Sequence, residues 1–191
     1  MSATLGPIHY RMFEKACSVD RLARTLAAFS DEQGWTSGLP QQLDAACPPL
    51  AGDITDHIDL SAIHASLSTL VNRSEDVLDA ACAPLGEHLD ELAGKARELG
   101  ADAARESSVA GLKLSDIWST SDGYWLDGMP CDGMMQVRAG AADISWSYQV
   151  AAHRALGYEQ IRRAWTEGFM EAAGVELTQD GPGSFSIRKA A

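Results

Sequence analysis

Apolar residues along the first part of the chain recur at spacings of three and four. Met12, Phe13, Ala16, Val19, Ala23, Leu26 and Ala27 follow Ile8 in that rhythm, which predicts an amphipathic helix from Pro7 to about Phe29. Pro7 suits the first turn, where an N–H would go unpaired anyway, and Gly34 suits the stop. The connector WTSGLPQQLDAACPPLAGD carries three prolines, with room for a short helix around Gln41 to Ala46. A second long helix is predicted from an N-cap at Asp59, with Ile63, Leu67, Leu70, Val71, Val77, Leu78 and Ala81 inward. Pro84 kinks or breaks it. Helix resumes beyond, with Leu85, Leu89, Leu92, Ala96 and Leu99 on one side and Glu91 four residues before Lys95.

After Ser107 the rhythm changes. LKLSDIWSTSDGYW holds one short helix, and the turn WLDGMPCDG follows. MMQVRAG and DISWSYQV alternate in character about a short break and predict a hairpin. YEQIRRAWTEGFMEAAG is again amphipathic, with Ile161, Ala164, Trp165 and Phe169 inward and Gly174 just past its end. VELTQDGPGSFSIRK predicts a second hairpin. The expected fold class is α+β in a single domain spanning residues 1–191. A helical layer (1–107) comes first, followed by an α+β part (108–191) made of a small antiparallel sheet with one packed helix.

The two long helices share a pattern at an offset of 55 residues, pairing Ile8 with Ile63, His9 with His64 and Met12 with Leu67. Amphipathic periodicity explains part of this. The Ile-His pair in the same phase of both suggests a duplicated helical hairpin, which would bring His9 and His64 to the same inner space.

Charge narrows the partners. The formal net charge of −12 leaves no basic stripe for phosphates, so neither nucleic acid nor an anionic membrane surface is an expected partner. Twelve acids against four bases lie between Asp53 and Glu106, which is most simply a solvated helical surface. No apolar run is long enough to span a bilayer, and the N-terminus has no signal-peptide h-region. Cys17, Cys47, Cys82 and Cys131 are dispersed without C-x-x-C spacing, so reduced thiols in a cytoplasm are expected.

Candidate chemistry gathers around the turn. Cys131 sits between Pro130 and Asp132 in a segment bracketed by Gly128 and Gly133. As a thiolate it would serve as nucleophile or metal ligand; as a thiol it would pack as a small apolar group. Asp132 and His153 are the candidate acid/base partners, and Arg154 is a candidate binder of a substrate carboxylate. Trp125 and Tyr124 are candidate walls of a pocket, or part of an aromatic core. His9 and His64 with Cys131 form a donor set suited to zinc or iron, although no standard zinc spacing is present. Arg162 and Arg163 either hold an anion or pair with acidic surface.

Two stretches carry a resemblance. GPIHY at the first helix and LDGMPCD in the turn resemble an uncharacterised family of bacterial proteins common in anaerobes. Its members carry two helices beginning with Ile-His, one Leu-Asp-Gly-Met-Pro-Cys-Asp loop and a following His-Arg pair. These fall here on Ile8-His9, Ile63-His64, Leu126 to Asp132 and His153-Arg154. The resemblance brings no activity with it. GFMEAAGVELTQDGPGSFSIRK is similar to the closing helix and hairpin of the 4-vinyl reductase and aminothiazoline-carboxylate hydrolase group of small-molecule-binding proteins. That group carries a Cys near its final strand, where this chain has Ser184.

Two functions are therefore expected. One is a small enzyme, or cofactor- or metal-dependent protein, acting on a small molecule at a Cys131-centred pocket. The other is a non-catalytic small-molecule-binding module or a homodimeric interaction module in which the same residues fix the loop.

Overall fold

The computed structural model describes residues 4–128 and 133–190, and the fold is α+β as the periodicity predicts. The chain divides into two compact units. One comprises Met1–Gly86, Gly123–Leu126 and Arg154–Leu156; the other comprises Glu87–Asp122, Asp127–His153 and Gly157–Ala191.

The first unit is helical. Helix α1 spans Pro7–Glu32, α2 Leu39–Ala46 and α3 Ile63–Cys82. Phe13, Ala16, Val19, Ala23, Leu26 and Ala27 are buried on α1, as their spacing requires. Ile63, Leu67, Leu70, Val77, Leu78 and Ala81 are buried on α3. The α3 N-cap is Ala62, not Asp59. Asp59 instead accepts from the Ser61 amide (2.8 Å) and hydroxyl (2.7 Å), and this local turn delays the helix. Pro84 lies in a 3₁₀ turn, Ala83–His88, that ends α3.

Helices α1 and α3 pack side by side in the same direction. His9 and His64 meet at their starts, and farther along Cys17 feels the charge of Arg73. Positions related by the 55-residue offset thus lie at similar heights. Polar side chains beneath this pair fix the connector. Asp20, almost fully buried, accepts from Arg24 Nε (2.8 Å) and the Leu50 amide (3.2 Å), and Arg24 donates to the Cys47 carbonyl (2.6 Å).

Asp31 supplies the cap that Gly38 lacks at the start of α2. It accepts from the Thr36 hydroxyl (2.5 Å), the Gly38 amide (2.6 Å) and the Leu39 amide (3.3 Å). These bonds, Thr36 first, hold its carboxyl below the usual carboxylate range. A depressed folded-state pKa means the cap is fully present above the unfolded pKa and is lost as pH falls through the folded one. The Gly38 amide resonance should therefore titrate below the ordinary carboxylate range. Asp31→Asn should abolish that titration; a Gly38 resonance that titrates normally, or not at all, in the wild type would contradict the cap.

The second unit holds α4 (Leu89–Glu106), α5 (Leu114–Asp122), β1 (Met135–Ala139), β2 (Asp143–Tyr148), α6 (Tyr158–Ala172), β3 (Val175–Gly181) and β4 (Ser184–Lys189). The four strands form one antiparallel sheet in the order β1-β2-β4-β3, with a bulge at Gln179/Gly181. Ile144, Trp146 and Tyr148 alternate with serines along β2, and Phe185 and Ile187 do so along β4, which gives the sheet one apolar face. Helices α5 and α6 pack on the sheet, and α4 packs on α6.

The inner stripe of α4 departs from expectation. Leu92, Ala93, Ala96, Gly100, Ala103 and Ala104 are buried, while Leu89 and Leu99 are only half-buried. Small residues lead because the α6 backbone comes so close. A Cβ on Gly100 would lie 2.0 Å from the Trp165 carbonyl oxygen, and one on Gly168 would lie 2.0 Å from that of Arg97.

Candidate functional site

Strand β2 ends at Tyr148, and a 3₁₀ turn, Val150–Ala152, leads to His153. Helix α6 begins at Tyr158 and sets Tyr158, Arg162 and Thr166 one turn apart along one line. His153, Tyr158 and Arg162 gather on Asp127, whose side chain is fully buried.

The Asp127 carboxylate is held on both oxygens. Oδ2 accepts from Arg162 Nε (3.0 Å) and Nη2 (2.9 Å), and Oδ1 accepts from the Tyr158 hydroxyl (2.7 Å). His153 Nε2 lies 3.6 Å from Oδ1, and the His153 side chain is 5% exposed. Its ring stacks on Tyr158 with centroids 3.8 Å apart and planes 5° from parallel, which fixes the imidazole plane. Arg162 also donates to the Thr166 hydroxyl. Burial, the largest single influence, would lower the Arg162 pKa, but the charge of Asp127 together with Tyr148, Tyr158 and the hydrogen bond to Asp127 outweighs it, and the guanidinium is held above its usual range. Asp127 and Arg162 therefore form a buried, mutually neutralising ion pair.

Tyr148 closes one side of the cluster. Its ring lies 6.0 Å from that of His153 and 6.3 Å from that of Tyr158, with the Arg162 guanidinium 5.5 Å from its centroid. The residue is 5% exposed. Burial pushes the Tyr148 phenol well above its usual range, with Arg162 pulling the other way, so the hydroxyl keeps its proton.

The expected site residues fall in different places. Cys131 and Asp132 lie outside the described residues. The glycines that bracket them, Gly128 (φ 97°) and Gly133 (φ 74°), both occupy the left-handed region that glycine favours. His153 joins the Asp127 cluster. Arg154 is exposed and pairs with Asp76 at 2.6 Å. Trp125 is completely buried and Tyr124 half-buried.

His9 and His64 do come together, with ring centroids 5.6 Å apart beside a shallow pocket of about 390 Å³. However, His9 Nδ1 accepts the Gly6 amide at 2.9 Å and so closes the N-terminus of α1. In the neutral ring the proton then sits on Nε2, which leaves His9 without a lone pair for a metal while the cap holds. Among the described residues, no group of three or more His, Cys, Asp or Glu side chains could hold a metal ion.

Comparison with family models, curated proteins and solved structures finds no match. No helix among the described residues is long and apolar enough to cross a membrane.

The sequence does not single out Asp127; Tyr148 and Tyr158 stand in it only among the aromatics that line a pocket or form the core of the small sheet, and Arg162 as a residue that holds an anion or pairs with acidic surface. One signal was available. Tyr158, Arg162 and Thr166 recur at a spacing of four, one position away from Ile161, Trp165 and Phe169. Polar residues flanking an inner stripe at helical spacing announce a buried polar network.

Proposed function

We propose that this chain is a small thiol-dependent enzyme acting on a small molecule where the end of β2, the start of α6 and Asp127 meet. Cys131 is the nucleophile and His153 its acid/base partner. Asp127 is the positioning residue that holds His153 and the start of the loop. The observation that supports this best is the pairing of a nearly buried imidazole with a carboxylate that Arg162 and Tyr158 fix in place. A nucleophile's base in turn oriented by a third group is the recurring logic of covalent catalysis. The free thiols at Cys17, Cys47 and Cys82 fit a reducing compartment such as the cytoplasm.

Alkylation of the native chain by iodoacetamide at pH 7, mapped by mass spectrometry, tests this. Cys82 is buried, and burial pushes its thiol up to about 12; burial also raises Cys17. Cys131 should react about tenfold or more faster than Cys17 and Cys47, with Cys82 essentially unmodified. A Cys131 rate no higher than in the urea-denatured chain would overturn the enzyme reading.

One observation favours a second reading. The Asp127 carboxylate is fully engaged within the protein, as in a purely structural anchor. The chain would then be a non-catalytic binding or homodimeric interaction module in which the network only fixes the loop. In that case Cys131→Ser would mainly lower the melting temperature.

A further inference from the structure

The pocket of about 390 Å³ beside His9 and His64 is lined by both histidines, Ser61 and the first turn of α3. Helices α1 and α3 start side by side there and run in the same direction, so the positive ends of both helix dipoles meet at it. The chain has 27 acidic residues, yet neither helix carries one in its first turn, and none of the described lining residues is acidic. Asp59, on the turn before α3, is taken up by the Ser61 amide and hydroxyl.

The pocket presents donors that nothing in the described chain meets. His9 Nδ1 accepts the Gly6 amide at 2.9 Å, so Nε2 carries a proton for as long as the cap holds, and that N–H has no partner among the described residues. The exposed His64 ring contacts His9 and makes no hydrogen bond among the described residues. Ala62 brings no capping side chain to α3. The Ser66 amide is the first of the helix to reach a carbonyl, that of Ala62 at 3.0 Å, which leaves the Ile63, His64 and Ala65 amides without a partner among the described residues. Capping accounts for the histidine of α1 but not for its match on α3. A metal ion does not suit the pair, because His9 presents a proton and not a lone pair.

We infer that this pocket binds a small oxyanion, the carboxylate or phosphate group of a small molecule, with His9 Nε2, His64 and the first amides of α3 as its donors. Imidazole N–H groups and uncapped helix amides converging without a competing carboxylate are the chemistry that an anion selects. The residues all belong to the first unit, and the site does not depend on the thiol reading.

Amide and imidazole NMR of the full chain tests this. Inorganic phosphate and acetate are titrated separately near the ordinary imidazole pKa of about 6.5, against sodium chloride at matched ionic strength. With at least one of the two oxyanions, the Ile63, His64 and Ala65 amides and both imidazoles should shift along one saturating curve that chloride does not reproduce. The tighter of the two names the group that the pocket prefers. His64→Gln should weaken that oxyanion roughly tenfold, the loss of one charge-assisted hydrogen bond. Ala65→Asp sets a tethered carboxylate in the uncapped turn. It should abolish the shifts and raise the melting temperature, since an acid is favourable in the first turn of a helix. Both positions are exposed, so neither change disturbs the core. Shifts no larger than those with chloride for both oxyanions would overturn the inference, and so would an affinity that neither variant alters.

Discussion

Asp127→Ala is expected to destabilise the chain by about 3–5 kcal/mol. The substitution removes the counter-charge of Arg162, which is 2% exposed and loses its Nε and Nη2 bonds to the carboxylate, and it takes away the Asp127 oxygen that accepts from the Tyr158 hydroxyl. A buried guanidinium cannot shed its proton to escape. The desolvation cost that the Asp127 charge had offset therefore falls on the folded state. The pair itself is worth much less, because desolvating both ions offsets most of their attraction. Arg162→Met alone should also be costly, since it strands the carboxylate. The double variant Asp127→Ala/Arg162→Met should lose much less than the sum of the singles. Denaturant unfolding of the three variants measures the coupling. Additive losses would mean the two groups do not depend on each other.

Gly168→Ala is the second large effect. A Cβ there would sit 2.0 Å from the Arg97 carbonyl oxygen and 2.8 Å from its carbon, both backbone atoms that cannot rotate away. Helices α4 and α6 would have to separate. Alanine improves intrinsic helix stability by about 1 kcal/mol over glycine, but overpacking against rigid backbone costs about 3 kcal/mol or more. The clash wins. At roughly 2–4 °C per kcal/mol for a chain of this size, the melting temperature should fall by about 4–8 °C for the net loss. Gly100→Ala meets the Trp165 carbonyl oxygen at the same distance and should behave alike. Gly94 lies on the same helix with nothing within 4 Å of its Cβ position, so Gly94→Ala should stabilise slightly. Thermal melts that rank all three glycines together would contradict the close crossing.

These effects mark where sequence periodicity works and where it stops. The inner face of α1 is readable because large apolar residues recur at helical spacing and tertiary packing buries them. The α4 stripe misleads because its contact surface is made of Ala and Gly, which carry little apolar signal, while Leu89 and Leu99 remain half-exposed. The meeting of His9 and His64 follows from the 55-residue offset, yet the hydrogen bond that takes up His9 Nδ1 depends on a backbone amide that spacing does not reveal. Asp127 pairs with Arg162 across 35 residues, and no local rule links positions so far apart. Arg154, a natural carboxylate binder by chemistry, meets Asp76 instead because the fold brings an acidic helix surface beside it.

In the proposed function His153 activates the Cys131 thiol. The pH dependence of Cys131 alkylation in the wild-type chain and in His153→Asn tests it most directly. The wild-type rate should titrate with a midpoint below the ordinary thiol value of about 8.5, and His153→Asn, with unchanged circular dichroism, should move that midpoint back up. Identical profiles for the two chains, both matching the denatured protein, would contradict the account.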